Sequence, residues 1–373
     1  MRAISLSTGS VVLLLSALAL SQTVTPLISP DVHADDSVTF RLRAPHAEHV
    51  TLELEGADPI AMERDSQGVW SITTKPLRPQ YYGYIFRTDD DPVIDPANSL
   101  LWPNLELNRN MVHVPGPPSL PWEVRTGPHG VVHRHPYKSE IVGDQRDFYV
   151  YTPPGYDPLS KTEYPALYLL HGYGQKSSSW DDIGLANVIL DNLINEGKAK
   201  PMIVIMPLAY GGWDILTGGH SAFWNDELRT RNFHRFADAL LTEVIPRVEK
   251  DYRVKKDRDS RAIAGLSMGG AEALLTGLNN LNQFSWVGSF SSGGLRDNFD
   301  QEFPALNTSS RPTLHLLWLA CGTDDTLLIG INRDFDRWLT SKGIVHSAFE
   351  TPDRHTWMAW RRNLASFAPL LFR

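Results

Sequence analysis

The sequence predicts an α/β fold, a mostly parallel sheet covered by helices on both faces, with a small all-β sandwich in front of it. Three observations predict this arrangement. From Phe148 onward, apolar strand-like runs alternate with runs of helical periodicity. Within that alternation, Gly265-Leu266-Ser267-Met268-Gly269-Gly270 lies between the apolar run Arg261-Ala262-Ile263-Ala264 and the helix-forming run Ala271-Glu272-Ala273-Leu274-Leu275, which makes a strand, a glycine-flanked serine and a helix. Before residue 114 the patterning has period two instead, and a proline-rich seam separates the two regimes.

The elements follow in chain order. Arg2 precedes an apolar run at 11–20, and Ala19-Leu20-Ser21 presents small residues for cleavage before Gln22, so residues 1–21 are expected to be a secretory signal. The run is short for a membrane span, which places the mature chain in a secreted or periplasmic location with no membrane partner. An uncleaved anchor is the alternative. Residues 25–114 carry strand patterns at 38–43, 50–54, 69–73 and 82–87, punctuated by Pro, Gly and Asp, as in a β-sandwich. Of its aromatics Trp70, Tyr81, Tyr82, Tyr84 and Trp102, strand spacing puts Trp70 and Tyr84 in the core and leaves Trp102, in the loop 96–111, as the ligand candidate. Pro115-Gly116-Pro117-Pro118-Ser119-Leu120-Pro121 opens an expected stiff linker over 115–140. In the α/β part, 141–373, strand-like runs fall at 148–151, 166–170, 202–206, 261–264, 286–290, 314–320 and 347–350. Helical periodicity covers 186–196, 233–250 and 271–278, with a last helix from Trp357. The helix 233–250 turns Phe236, Leu240, Leu241, Val244 and Ile245 inward.

A serine on so sharp a turn is held in strained geometry, and flanking glycines let strand and helix approach while Oγ projects from the sheet. The plain alternative is a glycine-rich connection whose serine caps the helix. A nucleophilic serine needs a base and the base needs an orienting carboxylate; the α/β-hydrolase fold delivers them in the chain order Ser, Asp, His. The apolar run 314–321 leads into Gly322-Thr323-Asp324-Asp325, which puts a carboxylate at a strand's carboxyl end. Only one of the two neighbours can face a histidine, and Asp325 is the candidate. His355, the last of thirteen histidines, follows in a loop between 347–350 and the final helix, and completes Ser267 and Asp325 in the required order. The strand 166–170 opens into His171-Gly172-Tyr173-Gly174, so the Tyr173 and Met268 amides are the oxyanion-hole candidates, with His171 a structural residue of the loop. Cys321, the one cysteine, excludes an intramolecular disulfide and sits in an apolar run as a small hydrophobe.

Taken together, His171-Gly172-Tyr173-Gly174, Trp180, Ala186-Asn187-Val188-Ile189-Leu190-Asp191-Asn192-Leu193, Ala262-Ile263-Ala264-Gly265-Leu266-Ser267-Met268-Gly269-Gly270, Ala320-Cys321-Gly322-Thr323-Asp324-Asp325 and His355 resemble the esterase D group. That group includes carbohydrate esterase family 1, with bacterial feruloyl and acetylxylan esterases. The resemblance implies an α/β-hydrolase with the triad Ser267, Asp325 and His355, and ester hydrolysis with no metal and no cofactor. The sandwich is similar to the immunoglobulin-like, glycogen-binding-like modules that precede esterases of this family, which implies sugar binding. The pattern departs around Trp213 to Trp224, where Gly211-Gly212 and Gly218-Gly219 punctuate an aromatic insertion.

The aromatics Tyr173, Trp180, Trp213, Trp224 and Trp357 around the expected cleft point to a hydroxycinnamoyl ester on a polysaccharide or oligosaccharide, such as feruloylated arabinoxylan. Trp180, Trp213, Trp224 and Trp357 are the substrate-binding candidates, with lid and core packing as the alternative. Acetylxylan deacetylation, siderophore-ester cleavage, acyl transfer as in the mycolyltransferases, and polysaccharide binding without catalysis are the other readings. At 373 residues and 42% hydrophobic, the chain is long enough for more than one core. A net charge of -8 argues against a nucleic-acid partner and disfavours an anionic polymer.

Overall fold

Period-two burial builds the first part of the chain in a computed structural model that describes residues 26–308 and 312–373; the expected signal at 1–21 lies outside the described residues. Val50–Leu54 alternates buried and half-buried positions, and its inward residues meet Phe40, Trp70, Tyr84 and Phe86 in one core. Two antiparallel sheets enclose that core. One runs in the order Asp31–Val32, Val38–Arg43, Val69–Thr73, Glu63–Arg64. The other runs Ile60–Ala61, Val50–Leu54, Gln80–Thr88, Arg109–Val114, Leu101–Trp102, with Asp91–Val93 also paired to Gln80–Thr88. Trp70 and Tyr84 are buried there, as strand spacing predicts.

The second part is one eight-stranded sheet. Its order is Val131–Lys138, Gln145–Thr152, Ile203–Pro207, Ala166–Leu170, Arg261–Leu266, Trp286–Phe290, Leu316–Gly322, Ser347–Thr351. From Ile203–Pro207 onward every pairing is parallel, while the first two strands are antiparallel. Alternate residues feed two cores: Ala166, Tyr168 and Leu170 face helices 226–251, Ser267–Asn279 and Ile329–Ser341, whereas Leu167 and Leu169 face Ala186–Asn195 and Trp357–Phe367. Burial on both faces explains why these strands are continuous apolar runs.

Two expectations change. The segment 115–140 is no free spacer: Val131–Lys138 is the edge strand of the sheet, and Trp122 and Glu123 are buried. The Glu123 carboxylate accepts from the Gly116 and Leu120 amides at 2.9 and 2.8 Å, and Asn192 donates to the Pro121 and Glu123 carbonyls, so the proline seam is laced to a helix of the α/β part. Residues 131–138, Val-Val-His-Arg-His-Pro-Tyr-Lys, carry neither an apolar run nor a polar–apolar alternation, as suits an exposed edge strand. The expected helix 233–250 begins earlier, at Asp226, and is interrupted by a π turn at Leu240–Val244 before Ile245–Asp251. Pro246 has no N–H to donate and its ring would meet a carbonyl one turn back, and the widened turn accommodates both. Leu241 is only half-buried, while Phe236, Leu240, Val244 and Ile245 point inward.

Candidate active site

The carboxyl ends of the parallel strands bring the chemistry together. Arg261–Leu266 turns directly into the helix Ser267–Asn279, and Ser267 takes a φ of +50°, a left-handed conformation that strains a residue with a Cβ. The turn closes only because Gly269 lacks a side chain: a Cβ there would lie 2.4 Å from the His171 carbonyl oxygen. His355 Nε2 lies 3.0 Å from Ser267 Oγ, and its Nδ1 lies 2.6 Å from Asp325 Oδ2. Asp325 is 2% exposed, and its other oxygen accepts from the Leu328 amide at 3.3 Å. Asp324 is exposed, as the opposed directions of adjacent residues require. The three residues therefore form a continuous hydrogen-bonded series, steadied by the edge of Trp360 against the His355 ring at 4.8 Å and 87°.

Met268 is the second residue of its helix, where an amide has no intrahelical acceptor, and the Tyr173 amide donates to none of the described groups. Gly172, beside Tyr173, packs so close that a Cβ on it would lie 3.2 Å from Ser267 Cβ. His171 holds this loop from inside. Its Nε2 accepts from the Ala209 amide at 2.9 Å and its Nδ1 donates to the Gly172 carbonyl at 2.8 Å, so the ring is neutral with the proton on Nδ1. Burial pushes His171 down to about 4 from an ordinary 6.5. The unfolded chain then binds a proton between these values that the folded chain refuses, so stability falls as pH drops from above 6.5 toward 4. Between pH 7 and 5 the expected loss from this group is about 2 kcal/mol. Urea unfolding at the two pH values checks it, because His171→Asn removes that increment and an unchanged difference would contradict the assignment.

Residues 139–369 match the Esterase family model, and residues 28–101 match carbohydrate-binding module 48, the isoamylase N-terminal domain. The chain belongs to the esterase family. Its esterase-family domain is preceded by a module-48 sandwich. It is 30% identical over 352 residues to an endo-1,4-beta-xylanase/feruloyl esterase of Xylanibacter ruminicola, covering 92% of this chain and 46% of that one. The chain spans about half the length of the curated relatives it matches first. Among solved structures, the ferulic acid esterase of Anaeromyces mucronatus aligns with a TM-score of 0.58 at 24% identity, over 67% of this chain and 93% of that one. The enterochelin esterase of Shigella flexneri aligns with a TM-score of 0.68 at 19% identity, over 89% of this chain and 91% of that one, and so shares the fold of both parts.

The aromatic candidates of the esterase divide sharply. Trp180 and Trp357 are both 0% exposed and pack edge to face at 5.1 Å, with Trp180 Nε1 donating to the Leu170 carbonyl at 2.9 Å; they are core, and neither offers a face to a ligand. Trp102 is likewise corrected: its ring fills the space over Gly83, where a Cβ would lie 1.8 Å from it. Trp213 and Trp224 are 36% and 48% exposed. Trp213 lines a cleft of about 620 Å³ with Pro103, Leu105, Tyr149 and Lys176, beside the loop that carries Tyr173. The insertion forms two short helices, Asp214–Thr217 and Gly219–Phe223, whose His220 and Phe223 rings lie 5.1 and 5.3 Å from the Tyr173 ring. Gly293 is a site residue that sequence reasoning missed: its amide donates to the Ser267 carbonyl at 2.9 Å, and a Cβ on it would stand 3.3 Å from Ser267 Oγ. Its signal was Gly293-Gly294 after the strand run 286–290, a position at the active edge of the sheet. Burial pushes the Cys321 thiol up to about 12, which keeps it inert.

Proposed function

We propose that this esterase cleaves hydroxycinnamoyl esters of plant cell-wall polysaccharide, releasing ferulate or a related acid from arabinoxylan, by a serine-nucleophile mechanism. His355 Nε2 takes the Ser267 proton as Oγ attacks the ester carbonyl. The Tyr173 and Met268 amides hold the oxyanion, a contribution whose loss typically costs about 2.7–4 kcal/mol of barrier for one donor. His355 then protonates the departing sugar oxygen, and water activated by the same imidazole releases the acid. Asp325 keeps Nδ1 protonated and stabilises the imidazolium.

The observation that carries the substrate reading is the 30% identity to the xylanase/feruloyl esterase, which runs over 92% of the chain and so spans both parts. The partly exposed Trp213, lining the cleft, fits a flat phenolic group. The apolar run at 11–20 supports export, with the mature chain secreted or periplasmic. Initial rates on methyl ferulate and on acetylated xylan, with Ser267→Ala as blank, test the substrate. Ferulate release is expected to exceed acetate release at least tenfold in kcat/KM, a difference of about 1.4 kcal/mol in transition-state binding. Dominant acetate release would move the assignment to acetylxylan, and no Ser267-dependent release from either substrate would remove it.

A further inference from the structure

The sandwich touches the α/β part where His355 is held. The turn after Val50–Leu54 carries Glu55, whose amide donates to the Gly83 carbonyl at 2.8 Å and whose Oε2 accepts from the Gly83 amide at 3.0 Å, pinning the carboxylate to the central strand Gln80–Thr88. The other oxygen, Oε1, accepts from the Trp357 amide at 2.7 Å. Trp357 is the first residue of the helix Trp357–Phe367, whose own N-cap residue, Thr356, makes no side-chain cap. A group from the sandwich thus supplies the cap that the helix lacks, at the positive end of the helix dipole; burial raises the Glu55 carboxyl above its ordinary range, and Arg361 and the Gly83 and Trp357 amides oppose that shift. The neighbouring contacts bracket the histidine. Asp58 lies 3.3 Å from Arg354, and Gly56 packs so tightly on Met358 that a Cβ would be 2.6 Å from its Cε. One turn into the helix, Trp360 presses its edge on the imidazole, and Arg361, fully buried, donates to Gln80 Oε1 and the Tyr81 carbonyl at 3.0 Å.

We infer that Glu55 is a positioning residue for ester hydrolysis, and that the sandwich sets the distance from His355 to Ser267 by holding the start of the helix two residues beyond it. The inference rests on His355 as the base. Two observations separate this role from general adhesion between the two parts. The contact is a backbone cap at a defined point, and every group between it and the imidazole is buried or ring-packed: Thr356 and Trp357 are buried, and Trp360 packs on both Trp357 and His355. A displacement of the helix start therefore has no slack in which to be absorbed, and misplacement of a reacting group by about 1 Å costs on the order of 10²-fold in rate.

The test uses the full chain and p-nitrophenyl acetate, a generic ester that makes the outcome independent of the natural acyl group. Glu55→Asp keeps the carboxyl but is one methylene too short to bridge Gly83 and Trp357, whereas Glu55→Gln keeps the reach and only one of the two acceptor oxygens. Glu55→Asp is expected to lower kcat by about 10- to 100-fold with KM changed less than about twofold, and Glu55→Gln, which can accept from Trp357 only by turning its NH2 on the Gly83 amide, to recover only part of the loss. Asp58→Ala, which breaks only the exposed contact with Arg354, keeps wild-type kcat. Rates are taken well below each variant's melting temperature and normalised to folded protein by circular dichroism. Wild-type kcat in Glu55→Asp, or a loss matched by an equal fall in the folded fraction, would overturn the inference. Turnover retained by Ser267→Ala would overturn the triad itself and this inference with it, whereas a preference for acetylated xylan over ferulate would leave it standing.

Discussion

Ser267→Ala is expected to lower kcat on any ester by at least about 10³-fold while leaving the melting temperature within about 2 °C of wild type. The loss is large because the alkoxide-forming oxygen disappears altogether, and what survives is the help that oxyanion donors and binding give to water attack. The fold is spared for a specific reason. Ser267 holds its φ of +50° by virtue of the strand, the helix and the close-packed glycines, and alanine carries the same Cβ into the same strained position. The deleted Oγ hydrogen bond runs to His355, which is partly open to solvent and can bind water instead. The decisive measurement is the burst of p-nitrophenol from an activated ester: wild type is expected to show one equivalent per site, the variant none. A burst in the variant would mean that another group attacks, and buried Cys321 could not supply it.

Asp325→Asn is expected to cost about 10⁴-fold in kcat, and Asp324→Asn less than about twofold. The two substitutions are chemically identical and adjacent, so the contrast isolates geometry. Asp325 Oδ2 at 2.6 Å from His355 Nδ1 requires the proton on Nδ1 and leaves Nε2 as an acceptor toward Ser267. An asparagine that turns its amide toward Nδ1 donates to it, reverses the tautomer and leaves Ser267 with no base. Asp324 is exposed and its side chain makes no contact with the imidazole. Paired kcat/KM measurements on one activated ester check this, and a larger loss in Asp324→Asn would refute the assignment of the orienting acid.

The legible and illegible parts of the chain separate by range. The elbow could be read because its demands are local: a glycine-flanked serine between an apolar strand and a helix already specifies a tight turn, and the order Ser267, Asp325, His355 places each group after a strand of a parallel sheet. The strands 166–170 and 286–290 agree to the residue with the structure because burial on both faces leaves a continuous apolar run, a signal contained in the run itself. Trp180 and Trp357, expected at the cleft and found in the core, were misplaced for the opposite reason. Trp180, Trp213, Trp224 and Trp357 are chemically alike, and nothing near them in sequence distinguishes a fully buried indole from an exposed one. The strand at 131–138 was missed because a largely exposed edge strand leaves neither an apolar run nor an alternation in the sequence.

By itself, then, the sequence determined the fold class and the strand-end positions of Ser267, Asp325 and His355, since backbone period and turn chemistry act over a few residues. Only the tertiary structure decided which tryptophans face solvent, that Gly293 packs on Ser267, and that Glu55 caps a helix 302 positions away. Those outcomes depend on surfaces assembled from distant segments, where burial and hydrogen-bond reach are properties of the packed whole and leave no periodic trace in the chain.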